Sequence, residues 1–436
     1  MKLWKTTLLL GCTAIAFGQG EYGGPSVLSR GQGPSNGLPA ETTFRPYAAI
    51  QGIYDSGLLG VTTDSSGNVT FKDAYGVQAE AGLYGQHSWE HTTIGLDYRG
   101  SYRRYSQRSY FDGSDHVLTL SINRQISKRI GLSLRESGGT FQRSFWFYNP
   151  GQLLNPGAQI PVEDVLDNRM YFGNTAADMT YQKSARLSFH GGGEGFIVRR
   201  TSDALFGVLG VTARGDVAYR YGRHGTVGLD YYFTRFDFFR AFGDSTINSL
   251  GLNWAKRVSR TWELAVRIGV ARVESLFLQR VLVDPEVRAI TGQAFGVNVG
   301  HHANILPDFN ARLSKNFRRS LLEFRYGRNI VPGNGIFLTS RRERIGVTYS
   351  YEGIRRWTIA LDASYNTMGA LVQELGDLNT YMAGLGVTRK LGKNFHMVLR
   401  ADARRYELGA SQYNRNAVRT TIGVAYSPGD RPLALW

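Results

Sequence analysis

The sequence predicts an all-β fold, a single transmembrane antiparallel up-and-down β-barrel, and three observations lead there. Segments along the 436 residues place apolar side chains at every second position. Short turns rich in Ser, Gly, Lys and Arg alternate with longer polar connections, the layout of a membrane barrel with turns at one end and loops at the other. Aromatic residues make up 12% and there are 53 glycines, yet no run of about 18 apolar residues exists to form a spanning helix.

The chain opens with a basic stretch from Met1 to Lys5, a short apolar stretch from Thr6 to Phe17, and the small-x-small site Ala16-Phe17-Gly18. Residues 1–18 therefore read as a secretory signal peptide. Cys12 is the sole cysteine, so a mature chain cut after Gly18 has no disulfide and no cysteine-based metal site. Leu9-Leu10-Gly11-Cys12 also resembles a lipoprotein cleavage box, and on either reading the protein leaves the cytoplasm. Residues 19–43 are rich in Gly, Pro and Ser and read as a flexible periplasmic segment, with the barrel filling residues 44–436.

Strands are expected near 44–54, 73–84, 90–104, 115–126, 129–143, 171–181, 186–199, 208–220 and 225–238 in the first half. The second half continues at 247–257, 261–274, 304–315, 320–331, 342–351, 357–367, 379–389, 395–407 and 416–427. That is about eighteen strands, with roughly sixteen as the alternative count, and the first and last strands both have their chain termini on the turn side. The alternation is plain in Ile359, Leu361, Ala363 and Tyr365 against Thr358, Asp362, Ser364 and Asn366. The tight turns include Ser127-Lys128-Arg129, Ser184-Ala185-Arg186, Val258-Ser259-Arg260 and Asn316-Phe317-Arg318-Arg319. Trp89, Trp262, Trp357 and Phe395 lie beside turns, while Tyr102, Phe239, Tyr365 and Tyr381 lie toward long connections, which predicts two aromatic girdles.

The closing segment alternates through Val418, Thr420, Ile422, Val424 and Tyr426, and the chain ends in Trp436. A terminal aromatic after an amphipathic strand resembles the signal read by the barrel-assembly machinery, with Pro432 separating Trp436 from the strand and Tyr426 as the other candidate. With the turns and the signal sequence, the chain resembles Gram-negative outer-membrane porin-type barrels over about Phe44 to Tyr426. The turn phrases resemble the β-barrel porin group linked with exopolysaccharide export. The resemblance implies a bacterial outer-membrane location, with outer-membrane lipids and periplasmic polysaccharide-export components as partners.

If the apolar face points outward, the lumen receives Arg99, Arg103, Arg135, Arg214, Arg220, Arg267, Arg325, Arg344, Lys390, Arg400, Arg404 and Arg419. The matching acids are Asp97, Asp216, Asp230, Glu263, Glu323, Asp362 and Asp402. With a formal charge of +16, this predicts a positive field that favours anions. Ion pairing across neighbouring strands is the structural alternative for the same arginines. Two long connections, Phe145 to Met170 and Phe277 to Ala303, are candidates to fold inward and narrow the bore. Asp64-Ser65-Ser66-Gly67-Asn68 lacks the later acid of a calcium loop and reads as a turn.

His301-His302 in a long loop has no nucleophile motif beside it, so no enzyme is expected, and no cofactor, metal or nucleic-acid partner. The leading expectation is a passive porin-like channel for anionic or polyhydroxylated solutes. The alternatives are an export conduit for exopolysaccharide and a plugged structural or surface-interaction barrel.

Overall fold

The structure, a computed structural model, describes residues 41–63, 69–106, 112–141, 169–371, 376–409 and 414–428. The first strands are β1 (Glu41–Thr42), β2 (Arg45–Thr63), β3 (Val69–Ser88), β4 (Thr92–Tyr105), β5 (Gly113–Ser127) and β6 (Ile130–Phe141). Next come β7 (Met170–Gln182), β8 (Leu187–Arg200), β9 (Gly207–Gly222), β10 (Gly225–Phe239), β11 (Asp244–Arg257) and β12 (Trp262–Leu282). After the helix α1 (Pro285–Thr291) follow β13 (Phe295–Asn316), β14 (Ser320–Pro332), β15 (Thr339–Tyr351), β16 (Trp357–Ala370), β17 (Asp377–Lys390), β18 (Phe395–Leu408) and β19 (Asn414–Tyr426).

From β2 onward each strand pairs antiparallel with the next, and β19 pairs back onto β2, so eighteen strands close into a ring. Closure gives each of the eighteen two partners, so the ring has no terminal strand with the open edge that hydrocarbon would not tolerate. β1 is a two-residue outlier that pairs with β3. It is set off from β2 by Thr43 and Phe44, which press against Gly85. There φ is +151° and a Cβ would lie 2.6 Å from the Phe44 Cα, so glycine is required.

The side chains are sorted inside out. On β12, Ile268 is 60% and Val270 54% exposed, whereas Arg267, next to Ile268 in the chain, is 6% exposed. Leu118, Leu120 and Ile122 repeat the outward apolar row on β5. Apolar rows facing out and charges facing in are the sorting that a lipid surround demands. Trp89, Phe317, Phe395 and Tyr426 are exposed at the turn end, and Tyr75, Tyr102, Tyr171 and Tyr381 toward the other, which makes two girdles.

Serine explains the repeated turn phrase. Ser127 Oγ accepts from the backbone N–H of Arg129 and Ile130, at 3.2 and 3.1 Å. Ser184 does the same for Arg186 and Leu187, and Ser259 for Thr261 and Trp262. Each hydroxyl satisfies donors that a tight reversal leaves open. Neighbouring turns are also tied together by backbone bonds, including Gln182 N–H to Arg129, Arg220 N–H to Arg186 and Arg257 N–H to His224.

Two expectations need correction. The connection expected from Phe277 to Ala303 is mostly strand: β12 runs to Leu282, β13 starts at Phe295, and their register continues from Trp262↔Lys315 to Leu282↔Phe295. This hairpin outruns its neighbours, since β11 pairs with β12 only as far as Ser275 and β14 pairs with β13 only as far as Phe309. Consequently His301 and His302 are strand residues rather than loop residues. The proposed signal peptide, Cys12, the Asp64–Asn68 turn, nearly all of the Phe145–Met170 connection and Trp436 lie outside the described residues.

The lumen wall as candidate functional site

Period two sends alternate side chains of each strand into the bore. On the face opposite the exposed apolar rows lie Arg99, Arg103, Arg135, Arg214, Arg220, Arg267, Arg325, Arg344, Lys390, Arg400, Arg404 and Arg419. The same face holds Asp97, Asp216, Asp230, Glu263, Glu323, Asp362 and Asp402. The register then decides which of them meet.

Across β10 to β13, Arg267 binds Asp230 at 2.7 Å and Asp308 at 2.6 Å. Ser249 Oγ and Tyr232 Oη donate to Asp308 at 2.7 and 2.5 Å, and Asn253 donates to Asp230 at 2.5 Å. The Arg267 guanidinium also lies over the Tyr232 ring, 5.2 Å from its centroid. Across β7 to β9, Arg214 pairs with Asp178 at 2.8 Å and Glu194 at 3.3 Å. His190 lies between Asp216 and Asp178, with Nδ1 at 2.8 Å from one and Nε2 at 3.1 Å from the other. Arg135 on β6 is within electrostatic reach of Asp178, Glu194 and Arg214.

The remaining candidates are also engaged. Arg99 pairs with Asp97 at 2.8 Å, Arg103 with Asp115 at 2.5 Å, and Arg400 with Asp402 at 2.7 Å and Asp362 at 3.3 Å. Arg325 and Arg312 share Glu323, Arg257 holds Glu263, and Arg419 donates to Gln78 at 2.6 Å. The positive lining is thus largely a lattice of ion pairs, which narrows the expected surplus of field. Asp178, His190, Glu194, Asp308 and Arg312 belong to this lattice although the strand alternation did not single them out. The outer faces of β7 and β8 carry Gly173, Ala177, Gly191, Gly193 and Gly195, so their apolar period is faint. Pro307 interrupts the pattern before Asp308.

Among the described residues a surplus of basic over acidic side chains does remain on one arc, even with Asp55 of β2 lying 3.9 Å from Arg419. The inner faces of β15 to β19 carry Arg342, Arg344, Arg400, Arg404, Arg415 and Arg419 against Asp362 and Asp402. The wall from β7 to β14 instead matches its acids with Arg214, His190, Arg267 and Arg312.

Toward the long-connection end the inner wall changes character. Met170, Phe172, Phe196, Val198, Val208, Phe236 and Ile247 are buried there as one apolar cluster. The connection after β14, residues 333–338, lies against the inside of the barrel. Phe337 packs with Met368, Leu378 and Tyr406 of β16 to β18, while Gly335 O accepts the N–H of Phe206 at 2.9 Å from the β8–β9 side. Arg200 Nη1 in turn donates to Phe206 O at 2.6 Å. Asn334 Oδ1 accepts from the N–H of Ile336 and Phe337, folding the segment into a compact turn. Pro332-Gly333-Asn334-Gly335 announces a tight turn, but nothing local aims it inward.

With the geometry in place, the class is a closed eighteen-stranded membrane barrel with a charged, internally bridged bore. No family profile matches the chain, and no curated protein does. Among solved structures it is similar to OccK2 (OpdF) of Pseudomonas aeruginosa in complex with glucuronate, at TM-score 0.45 and 12% identity, covering 88% of this chain and 98% of the other. A BenF-like porin from Pseudomonas fluorescens Pf-5 gives 0.44 and 11%, covering 88% and 98%. OccAB4 of Acinetobacter baumannii gives 0.42 and 10%, covering 89% and 99%.

Proposed function

We propose that this chain is an outer-membrane channel for small anionic or polyhydroxylated solutes, with its tight turns in the periplasm and its long connections outside. The observation that carries this reading is the inner wall itself: polar and ionised over most of its height, with surplus arginine on the β15–β19 arc. A charged inner wall behind an apolar outer one is useful to a conducting barrel, because fixed charge in a low-dielectric wall concentrates counter-charged solutes. Planar guanidinium groups also suit carboxylates and phosphates.

The 333–338 segment and the side-chain bridges narrow the bore, which favours passage of single small solutes over export of a polymer. Planar-bilayer recording of purified, folded protein tests this. The expected result is discrete, low-conductance steps that carry anions in preference to cations. Absence of steps from protein that still shows the heat-resistant mobility of a folded barrel would favour a plugged structural barrel instead.

A further inference from the structure

Cations in the bore and cations at the turn end are handled differently. Inside the bore arginines sit against carboxylates, whereas the tight turns present basic residues with few acids among them. The outer wall beside one of these turns has a particular construction. Trp262 is the first residue of β12 and Lys315 the next to last of β13, and the register sets them side by side. Lys315 Nζ lies 4.7 Å from the centroid of the Trp262 ring and 4.6 Å from that of Phe317. Among the described residues no carboxylate pairs with Lys315. The exposed turn that follows adds Arg318 and Arg319.

The same construction recurs two hairpins on. Trp357 opens β16, Arg389 is next to last in β17, the two are register partners, and the guanidinium carbon is 5.1 Å from the ring centroid. In both places the cation is on the outward face, at the level of the aromatic girdle, where the headgroup layer begins. Ring faces hold such a cation in place without neutralising it, because they contribute a quadrupole and no net charge. What the headgroup layer can bring to it is a phosphate.

We propose that the outer wall formed by Trp262, Lys315 and Phe317, with Arg318 from the turn, binds the phosphate headgroup of an anionic phospholipid in the leaflet at the turn end. Lys315 contacts the phosphate, and the two rings flank the glycerol region. The proposal rests on the membrane placement of the turn end given above, but not on conduction.

Native mass spectrometry of the full chain, offered equimolar phosphatidylglycerol and phosphatidylcholine of matched acyl chains, reads it directly. Retention of phosphatidylglycerol over phosphatidylcholine is expected, falling by about fivefold for each basic residue removed in Lys315→Gln and Lys315→Gln/Arg318→Gln. Lys315→Arg should keep the preference. Equal retention of both lipids, or a preference unchanged in the double variant, overturns the proposal. So does loss of binding to purified peptidoglycan in the double variant with lipid preference intact, since the cations would then serve a periplasmic polymer. Conductance recorded on the same samples separates the two readings. A conducting barrel without lipid preference overturns this proposal alone, and a silent barrel with the preference overturns only the channel.

Discussion

Arg267 shows how much a single inward residue carries. Its guanidinium bridges Asp230 and Asp308, and both acids take further donors from Asn253, Ser249 and Tyr232. Replacing one partner of a buried pair is costly because the other charge stays behind without compensation. Arg267→Met should therefore destabilise the barrel by about 3–5 kcal/mol, and adding Asp308→Asn should return part of the loss. The midpoint of urea unfolding in detergent, followed by tryptophan fluorescence, checks both. Equal midpoints for wild type and Arg267→Met would mean that water screens the cluster. Alternation along one strand located Arg267 and Asp230, because their outward neighbours are large and apolar. It did not locate Asp308, whose strand has Pro307 and long stretches of small or polar residues.

At the scale of the element, the 333–338 segment is the part of the described wall that crosses toward another side of the ring. It is held by Phe337 in an apolar pocket at one end and by the Phe206 N–H bond to Gly335 near its middle. Gly335 has φ +96° and lies so close to Arg200 that a Cβ would come within 2.8 Å of its Nε. Gly335→Val thus meets both backbone strain of about 1–2 kcal/mol and a steric block. The expected outcome is a segment displaced from the β8–β9 wall and a larger single-channel conductance. An unchanged conductance in a folded variant would show that the narrowest point lies elsewhere. Length is a poor guide here. The two connections expected to fold inward were chosen for their size, yet one became an extended hairpin and a six-residue turn took the inner position.

The whole molecule carries its charge unevenly. Ion pairs consume most of the lumen arginines, a basic arc persists on β15 to β19, and further cations crowd the turns. If that arc sets ion preference, Arg344→Gln with Arg404→Gln should shift the reversal potential in a salt gradient toward the non-selective value. The preference should also weaken as salt rises, since the screening length falls to about 3 Å at 1 M. A double variant with the wild-type reversal potential would place the selective field elsewhere on the wall.

What the sequence determined by itself was the strand order, the closed antiparallel architecture and which side chains share a face of each strand. These are local consequences of period two and of turn chemistry. A strand with Leu361 outward must turn Asp362 inward, and Ser259 closes its own turn. What only the tertiary structure decided was which inward charges meet and what lies across the bore. Arg267 and Asp308 are 41 positions apart, and Phe206 and Gly335 more than a hundred. Such contacts depend on register, strand tilt and ring closure together, and no short stretch of sequence contains them.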